Sequence, residues 1–130
     1  MIGSWLLLVL YAALGIANVA RGILAFAVHP VLADTTSWPF WLLGVVYLAW
    51  GLALLACGIV ALRRLDRARW LIRAGAIAYQ ATVWLIHVFG DVSTHARRLW
   101  LRDLLLSLLF LAVVFVLTSL PARGTKRRSR

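Results

Sequence analysis

The chain has 130 residues, of which 64% are hydrophobic and 14% charged, with a formal net charge of +10 and a mean hydropathy of +0.93. A soluble domain is about half apolar and about a quarter charged, and one small core cannot hide this much apolar surface from water. A single cysteine, Cys57, excludes a disulfide-stapled secreted scaffold, and the apolar content excludes disorder outside the C-terminal tail.

Four apolar stretches follow in chain order, at about residues 3–28, 39–62, 70–90 and 100–120. Each reaches the roughly 20 residues that cross a hydrocarbon core as a helix. The runs are continuously apolar and lack the alternation of an outer-membrane strand. They predict an all-α integral membrane four-helix bundle, with short links and antiparallel up-down connectivity.

Segment one does not read as a cleaved signal peptide. No basic residue precedes it, and it is too long for an h-region. Its glycines, Gly15 and Gly22, are spaced seven apart, as are Gly44, Gly51 and Gly58 in segment two. Seven residues are two helical turns, so each set lines one stripe. Small residues let membrane helices approach closely, which predicts a tight pair of segments one and two. The two segments also align at an offset of 36, with ten of eighteen positions identical from Trp5/Trp41 to Gly22/Gly58. Shared packing demands explain this; an old duplication in opposite orientations, as in transporters, is the sharper alternative.

The link after segment two carries Arg63, Arg64, Arg67 and Arg69, with Arg73 following; Arg123, Lys126, Arg127, Arg128 and Arg130 follow segment four. These are ten of the fourteen basic residues. Basic residues stay on the cytoplasmic side, which places both termini inside, in a cell inner membrane. Trp5 and Trp70 then lie at the inner interface, and Trp38, Trp41 and Trp100 at the outer one. Residues 121–130 form a basic tail suited to the anionic inner leaflet. That role accounts for the charge, so no nucleic acid is expected. The order of segments, with an Arg-rich turn before Ala68-Arg69-Trp70, resembles small four-helix bacterial membrane proteins; it carries no site residue across.

The polar residues collect in the outer half. Segment one offers Asn18 and Arg21, segment two Tyr47, segment three Gln80, Trp84, His87 and Asp91, and segment four Asp103 and Ser107. Arg21 lies about 10 Å below the outer boundary at 1.5 Å per residue. An unpaired arginine at that depth is costly, so Asp103, Asp91, Gln80 or His87 is its expected partner. Two readings stay open. The cluster is either interhelical glue, with each polar pair contributing on the order of 1 kcal/mol, or a water-accessible ligand pocket.

A haem site is the sharpest variant of the pocket, with His29 and His87 as axial ligands and Arg97, Arg98 or Arg102 for propionates. His29 precedes Pro30 at a helix end, which weakens it. No metal-spaced Cys/His cluster, hydrolase motif or nucleotide motif occurs, so no cofactor or metal is expected and an enzyme is disfavoured. Cys57 reads as a small apolar side chain. Three functions are carried in order: an accessory or structural subunit of a membrane assembly, with other membrane subunits as partners; a binder or carrier of a small solute, with an anion as one candidate; and a haem-bearing electron-transfer protein.

Overall fold

A computed structural model of the chain describes residues 2–27, 37–90 and 98–120. It is all-α, with α1 (Ile2–Ala27), α2 (Phe40–Gly90) and α3 (Trp100–Ser119). Among the described residues these three helices are long and apolar enough to cross a membrane. The tail at 121–130, His29, Asp91 and Arg97 lie outside the described residues.

α2 has 51 residues. Straight, it would be about 76 Å long at 1.5 Å per residue, against about 30 Å of hydrocarbon. It is not straight. Arg64 has non-helical angles (φ −145°, ψ 40°), and the ends of the element meet. The Ser37 amide donates to Gly90 O at 2.8 Å, and Trp38 Nε1 donates to Ile86 O at 3.1 Å. The ring centroids of Trp50 and Tyr79 are 5.5 Å apart. The element therefore doubles back at Arg64 into two arms, residues 40–63 and 65–90.

Residues 63–69 were assigned to a connection, yet all except Arg64 keep helical geometry. The stretch Arg63-Arg64-Leu65-Asp66-Arg67-Ala68-Arg69 contains no glycine or proline and is rich in good helix formers. Asp66 and Arg69 pair at 2.6 Å across one turn, and Ala68 is buried. One non-helical residue replaces a loop.

The seam between α1 and the first arm is built by glycine. α1 buries Gly3, Leu7, Tyr11, Gly15, Asn18, Gly22 and Ala25, one residue per turn along one face. A Cβ added at Gly15 would sit 2.9 Å from Gly51 O, and one at Gly22 would sit 3.0 Å from Gly44 O. So 15 faces 51 and 22 faces 44, and the close pair predicted from the seven-residue spacing is present. The 36-residue repeat gains a geometric meaning here. Gly15 and Gly51 are counterparts in the repeat and also face each other.

The core joins α1 to both arms and α3: Leu7, Tyr11, Leu54, Ala61, Ile72, Ala76, Tyr79, Val114 and Leu117. The outside is apolar too, with Val9, Ile16, Leu52, Ile77, Leu105 and Val116 more than half exposed. A water-soluble monomer rarely shows such a surface; a bilayer accepts it. α3 buries only Val114, Leu117 and Thr118. Its buried residues all lie in its C-terminal third, and its first half borders a cavity shared with α1 and the second arm.

Candidate functional site

The cavity between α1, the second arm of α2 and α3 has a volume of about 430 Å³. Ligand sites commonly occupy about 300–1,000 Å³. Six of the expected residues line it: Arg21, Gln80, Trp84, His87, Asp103 and Ser107. Gln80, Trp84 and His87 recur at helical spacing, which puts them on one face of the second arm. Asp103 and Ser107 are four apart, one turn of α3.

The polar end is organised by pairs. His87 Nε2 lies 3.3 Å from Asp103 Oδ2, and Arg102 Nη2 lies 3.0 Å from Asp103 Oδ1. Both groups suit their helix ends. Asp103 is in the first turn of α3, and His87 in the last turn of α2, where the helix dipoles favour an acid and a base respectively. Trp84 Nε1 donates to Ser107 Oγ at 3.1 Å, and the Trp84 and His87 rings meet edge to face at 6.2 Å.

Arg21 differs from the expectation. It lines the cavity and is exposed, but among the described residues it has no hydrogen bond or ion pair to Asp103, Gln80 or His87. Both carboxylate oxygens of Asp103 are engaged by Arg102 and His87. Asp91, the other acid considered, lies outside the described residues. Arg21 thus lines the cavity, while the Asp103 carboxylate is held by Arg102 and His87.

Asn18 sits below this, fully buried. Its Nδ2 donates to Leu14 O at 2.8 Å and to Tyr79 OH at 2.9 Å, and its Oδ1 has no partner among the described residues. Asn18 is interhelical glue, not cavity wall. Tyr47, on the first arm, does not line the cavity; it makes a contact of its own. Of the two haem-ligand candidates, His29 is outside the described residues and His87 is beside Asp103. Among the described residues no group of three or more His, Cys, Asp or Glu could hold a metal ion.

Sequence reasoning passed over Tyr79. Its hydroxyl meets Asn18 and its ring packs on Trp50 and Phe110. A tyrosine in mid-span was the available signal, because a buried phenol needs a partner. Tyr11, whose OH donates to Ile72 O at 3.0 Å, follows the same rule. Arg73, seven residues before Gln80 and so near its face of the second arm, turns to the end of α3. Its Nε donates to Thr118 Oγ1 and its Nη2 to Ser119 Oγ, both at 2.7 Å. Comparison with protein-family models, curated proteins and solved structures finds no match to this chain.

Proposed function

We propose that the protein is a small polytopic membrane protein that binds an anionic solute in the cavity beside Arg21. The observation that carries this reading is that Arg21 lines the cavity, while Asp103, the acid that also lines it, is paired with Arg102 and His87. Arginine presents a planar fork of donors that suits a carboxylate or phosphate. Ionisable groups within membrane spans mark ligand paths more often than lipid contacts. The order expected from sequence, with an accessory subunit first, is therefore reversed.

The reading includes a topology. The chain crosses four times, with α1, the two arms of α2 and α3 running antiparallel, and with both termini on the cytoplasmic side of an inner membrane. The doubling-back at Arg64 and the 15/51 and 22/44 pairs support the alternation. The basic residues at 63–73 and 123–130 support the orientation. The cavity then opens toward the outer side. A reporter fused after Arg130 is expected to be active only in the cytoplasm; periplasmic activity would invert the scheme.

Binding itself is tested by melting the full chain in nonionic detergent against small carboxylates, phosphate and sulfate. A ligand at 100 times its Kd stabilises by about 2.7 kcal/mol, which raises a melting point measurably. Arg21→Ala is expected to abolish the shift, and Arg21→Lys, which keeps charge without the fork, to retain part of it. No shift with any anion, or an equal shift in Arg21→Ala, returns the protein to the accessory-subunit reading.

A further inference from the structure

The cavity has a direction, and this narrows its ligand. Counting along the helices, Arg21, His87 and Asp103 fall toward one end of the lining and Leu10, Leu14 and Val113 toward the other, where Gln80 and Tyr79 are the polar side chains at the depth of Leu14. Along α1, Arg21 and Leu10 are eleven residues apart, about 16 Å. Along α3, Asp103 and Val113 are ten apart, about 15 Å. Both helices therefore place a charged head at the outer end and an apolar slot running inward from it.

The slot also has a side entrance. α1 and α3 close at their inner ends, where a Cβ on Gly3 would lie 3.3 Å from Leu117 O. One step outward, the Tyr11 and Phe110 rings are 6.2 Å apart. Beyond that the cavity wall includes Leu106 and Leu109, which are 55% and 60% exposed, and the exposed Arg21. The opening between α1 and α3 therefore faces the hydrocarbon as well as the outer surface.

A compact hydrated anion would fill only the upper end and leave the lower slot to something else. We infer that the ligand is an anionic amphiphile of the outer leaflet, a carboxylate or phosphate head on a hydrocarbon tail, which enters sideways between α1 and α3. This rests on the anion-binding reading of Arg21 and adds the tail and the bilayer as source. The tail gains little by leaving lipid for the slot, because lipid chains are as apolar as leucine. Selectivity therefore resides in the head. A long arginine stem reaches toward the interface, so the guanidinium meets a headgroup without pulling it to mid-membrane.

The test uses the full chain in phosphatidylcholine nanodiscs, with Trp84 as reporter. Its emission is taken as the difference between the parent and Trp84→Phe. 9,10-Dibromostearate, 9,10-dibromostearyl alcohol and aqueous inorganic phosphate are compared. The brominated carboxylate is expected to quench Trp84 saturably at a mole fraction about tenfold below that of the brominated alcohol, or about 1.4 kcal/mol of preference. Arg21→Gln should move the carboxylate curve onto the alcohol curve, and Arg21→Lys should leave it between. Equal quenching by carboxylate and alcohol in the parent overturns the inference. If phosphate alone then changes Trp84 emission saturably, the anion site stands and only the amphiphile falls. If neither the brominated carboxylate nor phosphate acts through Arg21, both fall.

Discussion

Gly51→Ala is expected to destabilise the protein sharply, and Gly51→Leu to prevent its assembly, although neither position nor side chain is near the cavity. A Cβ at Gly51 would stand 2.9 Å from both Gly15 O and Val19 N. These are backbone atoms of α1. They cannot rotate away, so the helices must separate. Overpacking usually costs about 1–3 kcal/mol; here even alanine should reach that range, and leucine should exceed it. Two other glycines of α2 provide the control. A Cβ at Gly58 would meet the Tyr11 side chain at 3.3 Å, and one at Gly75 only Cys57 Sγ at 3.7 Å. Gly75→Ala is in ordinary contact and gains helix propensity of up to about 1 kcal/mol. Melting in detergent should therefore rank Gly75→Ala at or above the parent, Gly58→Ala slightly below, and Gly51→Ala far below. Equal melting of Gly51→Ala and Gly75→Ala would mean that the seam is not a backbone contact.

The stripe was legible because glycine spacing reports on backbone, and backbone contact depends only on helical periodicity. The polar members of the cavity were legible for a related reason. Arg21, Gln80, His87 and Asp103 are rare in apolar spans, and depth along a helix follows from counting residues. Pairing was not legible. Asp103 chose Arg102 and His87 over Arg21, which depends on where α3 starts relative to α2, and no count along one helix gives that. The reversal at Arg64 was legible as a charged break but not as a single residue, since arginine and alanine favour helix on both sides. Arg73's contacts were not legible because periodicity assigns a face but not the reach of a long side chain. It lies on the cavity-side stripe of the second arm, yet extends to Thr118 and Ser119.

That reach leads to the second large effect. α3 buries only Val114, Leu117 and Thr118, all within its last two turns, so the clamp on this end holds the most deeply packed part of α3. Arg73 supplies the clamp through 2.7 Å hydrogen bonds to Thr118 Oγ1 and Ser119 Oγ, and its guanidinium lies 4.9 Å from the Phe115 ring centroid. Arg69 Nη2 adds a bond to Leu120 O at 3.2 Å. Cations at this end also meet the negative pole of the α3 dipole. Hydrogen bonds from a charged donor are worth about 1.5–3 kcal/mol, and the ring contact about 0.5–1 kcal/mol where partly exposed. Arg73→Ala is thus expected to cost about 2–3 kcal/mol, discounting for partial exposure, and the loss should appear as undocking of α3 rather than of α1. Proximity can be read directly. Gly3→Cys with Leu120→Cys, in a Cys57→Ala background, brings two Cβ positions to 4.0 Å, within the usual disulfide range of about 3.5–4.5 Å. Oxidation should crosslink this pair rapidly when Arg73 is present, slowly with Arg73→Ala, and at an intermediate rate with Arg73→Lys, which keeps the charge but cannot bridge both hydroxyls. The cavity wall formed by Asp103, Ser107 and Phe110 belongs to the same helix, so the slow variant should also lose anion-dependent stabilisation. Crosslinking at one rate in all three would show that the apolar contacts of Val114 and Leu117 hold α3 without the arginine.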